Sequence, residues 1–66
     1  MDPTEVYLGI YYAMRDGRRA EARELALKLK AWFDDGGYPP HRYTEVAVKA
    51  YMFGVLRRTI DLSFTE

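Results

Sequence analysis

The absence of cysteine from a chain of only 66 residues is the feature that most limits how this protein can be stabilised. A domain of this size buries only about 60% of the surface that its unfolded chain exposes. It therefore usually needs disulfides, a metal ion, oligomerisation or very well packed helices. Disulfides and thiolate metal sites are excluded, and a single histidine, His41, cannot form a histidine-based zinc site. Close packing and association remain.

The first segment carries both a start and a stop signal for a helix. Asp2 suits the N-cap and Pro3 the first helical position, while Glu5 stands where a side chain can reach back to the cap amide. Asp16-Gly17 then ends the helix, because glycine accepts the left-handed conformation that a helix end needs. These signals predict a first helix over about residues 3–15.

A second helix is predicted over about residues 18–35. Alanine, glutamate, arginine, leucine and lysine fill this segment, and all of them favour helix. Gly36-Gly37 ends it. Apolar residues recur at the spacing of one helix face, which predicts a single buried side. The members of that face are Ala22, Leu25, Ala26, Leu29, Trp32 and Phe33.

A third helix is predicted over about residues 40–61, after a Tyr38-Pro39-Pro40 segment that cannot continue a helix. Two starts fit the pattern, with Pro40 as the first helical residue or Thr44 as the N-cap. Residues 62–66 are expected to fray. No alternating pattern typical of strands is present.

The predicted fold is thus a single all-α domain over residues 1–66. Helices 1 and 2 form a tight antiparallel hairpin, and helix 3 packs across it. No charge run, low-complexity segment or domain linker divides the chain.

Helices 1 and 3 carry more apolar surface than the interior of one three-helix unit can take. Helix 1 has no charged residue between Val6 and Met14. Helix 3 has two apolar seams that each repeat every seven residues, one through Val46 and Phe53 and the other through Val48 and Val55. Apolar surface in excess of the core usually marks an interface. The alternative is a compact monomer in which the tyrosines seal a small core.

We therefore expect a small non-catalytic protein–protein interaction module, such as a regulator, adaptor, inhibitor or accessory subunit. Its partner is a second copy, as a homodimer, or a larger protein. Tyrosine and arginine dominate binding hot spots, and six tyrosines are present. The predicted interface comprises Tyr7, Tyr11, Tyr12, Val48, Tyr51, Met52 and Val55.

Nucleic-acid binding is the alternative function. Two arginine clusters suggest a phosphate-facing patch, beside tyrosines that can stack on single strands. Ten basic and ten acidic side chains give a formal charge of zero, however, whereas proteins that bind nucleic acid are usually strongly basic. The candidate contacts are Arg15, Arg18, Arg19 and Arg23, with Arg57 and Arg58 as the second cluster.

No catalytic site, cofactor, metal or small-molecule substrate is expected. His41 near Asp34, Asp35 and Glu45 lacks the further groups that acid–base catalysis needs, and is interpreted as a solvated loop residue. The uncharged stretch in helix 1 is too short to cross a bilayer, so no membrane is expected. Acidic residues stand where a signal peptide would be basic. These features predict a cytoplasmic protein.

Overall fold

The computed structural model describes residues 1–60, which form three α-helices and no strand. These helices are α1 (Pro3–Arg15), α2 (Arg19–Asp34) and α3 (Glu45–Arg58). The prediction of a small all-α domain with three helices is confirmed. Helix α3 ends at Arg58 with Thr59 as its C-cap, three residues before the expected end at about residue 61. The expected fraying of residues 62–66 lies outside the described residues. None of the three described helices is long and apolar enough to span a membrane.

Side-chain caps begin α1 and α3. The Asp2 carboxylate accepts a hydrogen bond from the Thr4 amide at 3.0 Å, with Pro3 as the first helical residue, as the sequence predicts. The Thr44 hydroxyl accepts from the Ala47 amide at 3.2 Å and so begins α3. Each cap satisfies an amide that has no partner inside its helix.

The predicted start of helix 3 at Pro40 is wrong, and the alternative with Thr44 as N-cap is correct. The Tyr43 amide donates to the Pro40 carbonyl at 3.1 Å, which closes a turn before the helix. Arg42 within this turn has φ of 70°, a left-handed conformation that interrupts a helix. The turn therefore displaces the helix start to Glu45.

Glycines end α1 and α2 in the same way. Gly17 has φ of 78° and Gly36 has φ of 84°, each one residue beyond its helix cap. The chain then turns back, and the Arg18 amide donates to the Ala13 carbonyl at 2.8 Å. This arrangement is a Schellman motif, which satisfies carbonyls at the helix end.

Helix α2 is the centre of the fold, because α1 and α3 both pack on it. Contacts at the two ends of the molecule define the directions of the helices. The His41 amide donates to the Thr4 hydroxyl at 2.8 Å at one end, and the Arg19 guanidinium donates to the Arg58 carbonyl at the other. It follows that α2 runs antiparallel to α1 and α3, which are parallel to each other. The buried core comprises Ile10, Ala13, Ala22, Ala26, Leu29, Phe33, Val48, Met52 and Val55.

The seam of α3 that packs against α2 is the seam that the sequence analysis assigned to the protein–protein interface. Val48 and Met52 are 0% exposed and Val55 is 1% exposed, so these three predicted interface residues belong to the intramolecular core. That part of the interface prediction is corrected. The opposite seam is exposed instead, with Val46 at 81% and Phe53 at 44%.

A polar contact between α2 and α3 accompanies this choice of seam. The Arg23 guanidinium donates to the Leu56 carbonyl at 2.9 Å and lies 3.4 Å from the Thr59 hydroxyl. Thr59 is itself fully buried and donates to the Val55 carbonyl at 2.8 Å. These bonds join the end of α3 to α2 on the side where Val48 and Val55 are buried.

Candidate binding groove lined by tyrosines

A concave groove of about 310 Å³ lies between α1 and the first half of α3. Four of its residues come from successive turns of α1, one from the loop before α3 and one from α3 itself. We call it the tyrosine groove, and its lining residues are Tyr7, Leu8, Tyr11, Tyr12, Tyr43 and Tyr51. It forms because α1 and α3 both pack on α2 and leave a cleft between them that large aromatic rings only partly fill.

Tyr7 is the central ring of the groove. Its centroid lies 4.9 Å from that of Tyr43 at an interplanar angle of 62°, and 5.6 Å from that of Tyr51 at 80°. Such edge-to-face pairs contribute about 0.5–1.5 kcal/mol each beyond their buried area. The rings of Tyr11 and Tyr12 form a further edge-to-face pair at 5.6 Å and are 50% and 45% exposed. The groove thus has a packed interior and an accessible outer wall.

The inner phenols of the groove are held in their neutral form. Burial raises the pKa of Tyr7, and the neighbouring Tyr43 and Tyr51 phenols raise it further. Burial also raises the pKa of Tyr51, although the positive charge of Arg58 acts in the opposite direction. A tyrosine is protonated at neutral pH already at its usual pKa of about 10, so both phenols can donate hydrogen bonds there.

This shift predicts a loss of stability at alkaline pH. A phenol whose pKa is higher in the folded than in the unfolded chain stabilises the fold fully below the unfolded value of about 10, and this contribution disappears as the pH rises through the folded value. Urea unfolding between pH 8 and 11 should show that the free energy of unfolding of the wild type decreases as the pH rises. The decrease should be smaller in Tyr7→Phe than in the wild type. Tyr38→Phe, at a ring that is 65% exposed, is the matched control. Equal alkaline losses in all three proteins would contradict the assignment.

The predicted interface residues divide into two groups in the structure. Tyr7, Tyr11, Tyr12 and Tyr51 come together in the tyrosine groove, whereas the three aliphatic members lie in the core. Sequence reasoning missed two lining residues. Leu8 precedes Tyr12 by one turn, so the helical spacing could have included it. Tyr43 lies in a loop, where no periodic pattern indicates a direction.

Two of the predicted nucleic-acid contacts pair with nearby carboxylates. The Arg18 guanidinium contacts Glu21 at 2.7 Å and Asp16 at 3.4 Å. Arg15 contacts Asp16 at 3.6 Å and also lies over the Tyr12 ring, 5.1 Å from its centroid. Arg15 therefore borders the tyrosine groove.

The other two predicted contacts, Arg19 and Arg23, serve the end of α3. Arg19 donates to the Arg58 carbonyl, and Arg23 donates to the Leu56 carbonyl. Carbonyls at a helix end have no partner within the helix and carry partial negative charge, so guanidinium groups stabilise them. Both side chains thus have a structural role that the sequence did not suggest.

The charges of the chain are separated along the molecule although their sum is zero. The end formed by the last turn of α1, the first turns of α2 and the last turn of α3 carries six arginines, namely Arg15, Arg18, Arg19, Arg23, Arg57 and Arg58. Among residues 1–60, three carboxylates accompany them there, namely Asp16, Glu21 and Glu24. This end is therefore basic, which the formal charge of the whole chain conceals.

Within residues 1–60, no three side chains of the His, Cys, Asp or Glu type are grouped closely enough to hold a metal ion. Comparison with protein-family models, with characterised proteins and with solved structures finds no match for this chain.

Proposed function

We propose that this protein is a small, non-catalytic protein–protein interaction module and that the tyrosine groove is its recognition surface. One observation carries the proposal: five tyrosines and a leucine line a single concave surface, and three of those tyrosines are between 42% and 50% exposed. Tyrosine is among the residue types that contribute most to binding energy at interfaces. A monomer that needed these rings only to seal its core would bury them further.

The groove is also prepared for binding. Tyr7 is already held by edge-to-face contacts with Tyr43 and Tyr51, so little side-chain freedom is lost when a partner docks. Ordering flexible side chains is a large part of the free-energy cost of association. A preformed aromatic surface avoids much of that cost.

The partner is proposed to be a second copy of the chain or a larger protein. The exposed seam of α3, with Val46 at 81% and Phe53 at 44% exposure, continues past the helix to Ile60 at 46% and offers a further apolar surface for such contacts. Light scattering and sedimentation of the purified protein separate the two cases, because only self-association depends on its own concentration.

Nucleic-acid binding is the second candidate, and the basic end of the molecule favours it. The pairing of Arg18 with carboxylates and of Arg19 and Arg23 with α3 carbonyls opposes it, because these groups would have to leave their partners to meet phosphates. The absence of catalysis and the cytoplasmic location stay predictions from the sequence.

The test of the proposed function is affinity capture from the host with a matched pair of variants. Tyr11→Glu combined with Tyr12→Glu places charge on the accessible wall of the groove. Leu27→Glu places one such charge at a residue of α2 that is 46% exposed and does not line the groove. We expect a protein retained by the wild type and by Leu27→Glu to be lost with the groove variant, by at least tenfold, as for a hot spot.

Circular dichroism must show that both variants keep the wild-type helical content. Retention that is equal for the wild type and the groove variant would refute the assignment of the groove. Retained nucleic acid whose binding falls steeply with salt would favour the second candidate.

A further inference from the structure

We propose that the tyrosine groove binds an acidic peptide segment of a partner protein, with one aliphatic or aromatic side chain inserted among the tyrosines and a carboxylate bound to Arg58. This inference rests on the proposed function above and specifies the chemistry of the partner. It follows from the charges at the border of the groove, from the size of the groove and from the hydrogen-bonding state of its phenols.

Arg58 supplies the first positive charge, beyond the groove at the end of α3. It follows Tyr51 by seven residues, which is two turns along the same face of α3. Burial raises the pKa of the Tyr51 phenol, and the positive charge of Arg58 opposes that rise. Among residues 1–60, no carboxylate lies within ion-pair distance of the Arg58 side chain.

Arg15 supplies the second positive charge, from the opposite wall. Its guanidinium lies 5.1 Å from the centroid of the Tyr12 ring. Its ion pair with Asp16 is 3.6 Å long and joins side chains that are 61% and 48% exposed. Exposed pairs of this kind are weak, so a partner carboxylate can share Arg15 with Asp16.

Both arginines lie at the same end of the groove, because α1 and α3 run parallel and each arginine ends its helix. Within residues 1–60, no carboxylate lines the groove itself. A segment that enters it therefore meets an apolar aromatic surface with a cationic border on one side. Charge complementarity selects an acidic residue beside an apolar one.

The size of the groove matches a short segment better than a whole helix. Its volume of about 310 Å³ is at the lower limit for ligand sites, which accommodates one or two inserted side chains. The protonated phenols of Tyr7 and Tyr51 can donate hydrogen bonds to the carboxylate or to carbonyls of the bound backbone.

A polynucleotide is a poorer match to the same features. Strong binding to nucleic acid needs many phosphate contacts, whereas one carboxylate needs one or two guanidinium groups. Arg19 and Arg23 are committed to α3 carbonyls, and Tyr7 already meets two neighbouring rings. The tyrosine rings and the two guanidinium groups that remain accessible suit one peptide side chain and its neighbouring carboxylate.

A phage-displayed library of random twelve-residue peptides tests the inference. The library is selected on the full-length wild-type protein after depletion on the Tyr11→Ala, Tyr12→Ala double variant. We expect the selected peptides to share an aspartate or glutamate within two residues of leucine, phenylalanine or tryptophan. The dissociation constant of the best synthetic peptide is then measured by fluorescence anisotropy.

Arg58→Gln is expected to weaken binding of this peptide about tenfold, as for loss of a charge-assisted hydrogen bond, and to reduce its salt dependence. Arg57→Gln is the matched control, because Arg57 is the neighbouring residue of α3 and points about 100° away from Arg58. It should leave binding within twofold. The Arg58 backbone carbonyl still accepts from Arg19 in the variant, so the end of α3 is preserved.

Four results would overturn the inference: selected peptides without acidic residues, equal effects of the two arginine variants, displacement of the peptide by a single-stranded oligothymidylate, or a self-associated protein whose groove is closed to the peptide. If a host protein is captured in a groove-dependent way but the selected peptides lack acidic residues or the two arginine variants have equal effects, the proposed function stands. Only the acidic nature of the partner is then refuted. Capture that does not depend on the groove would remove the proposed function itself.

Discussion

Replacement of Val48 by aspartate is expected to unfold the protein, whereas the same replacement at Val46 leaves it folded. The two valines lie two residues apart on α3 and on opposite faces, with Val48 0% and Val46 81% exposed. A carboxylate at position 48 would be buried without a partner, which costs several kcal/mol or forces the group to stay protonated. The whole stability of a chain of this length is roughly 3–10 kcal/mol at the usual value per residue.

At Val46 an aspartate would be solvated and would lie in the first turn of α3, where the positive end of the helix favours a negative charge. Thermal unfolding followed by circular dichroism measures both variants. Loss of the cooperative transition in Val48→Asp alone is the expected result. Unfolding by Val46→Asp together with a tolerated Val48→Asp would mean that the other seam of α3 faces the core.

The second large loss of stability is expected on substitution of Gly37, where the loop after α2 passes the indole ring of Trp32. The Trp32 Nε1 donates to the Tyr38 carbonyl at 2.7 Å, and the two rings meet edge to face with centroids 5.2 Å apart. A Cβ added at Gly37 would overlap the indole ring. Gly37→Ala is therefore expected to lower the free energy of unfolding by about 1–3 kcal/mol, as for other overpacked sites. For a domain this small, the midpoint of thermal unfolding would decrease by about 4–8 °C for each kcal/mol.

A double-mutant cycle identifies the cause of that loss. Trp32→Ala alone removes a half-buried aromatic ring and its hydrogen bond, at a cost of about 3 kcal/mol or more. In this background the ring no longer opposes a Cβ, so adding Gly37→Ala should cost much less than in the wild type. Strictly additive effects would show that the loss in Gly37→Ala does not come from contact with Trp32.

The boundaries of the first two helices followed closely from the sequence because their signals are local. Asp2 and Pro3 at the start of α1, and Gly17 and Gly36 after α1 and α2, act within a single turn of chain. The start of α3 was less certain, because both proline and threonine can begin a helix. The turn closed by the Tyr43 amide, which decides between them, has no comparable sequence signature.

The choice between the two seams of α3 could not be predicted from periodicity. Both seams repeat every seven residues with similar apolar side chains, so either one could have faced α2. Polar contacts on the buried side join Arg23 to Leu56 and Thr59, more than thirty residues away along the chain. The sequence alone does not distinguish an arginine that contacts another helix from one that is exposed to solvent.

The tyrosine groove was predictable in part. The uncharged stretch of helix 1 indicated that Tyr7, Tyr11 and Tyr12 exceed the needs of one core, and they do line one surface with Tyr51. The concavity itself arises from the parallel arrangement of α1 and α3 on a central helix. That arrangement depends on contacts between the ends of the molecule, such as that of His41 with Thr4, and no local pattern encodes them.

The separation of charge along the molecule has a kinetic consequence. Six arginines gather at one end, while the opposite end holds five carboxylates, namely Asp2, Glu5, Asp34, Asp35 and Glu45, beside Lys30, Arg42 and Lys49. These ends are separated by about the length of α2, roughly 24 Å for its 16 residues. A molecule with almost no net charge but with separated charges experiences a torque in the electric field of a charged neighbour. Rotational alignment would then precede contact, so that an acidic surface meets the arginine-rich end first.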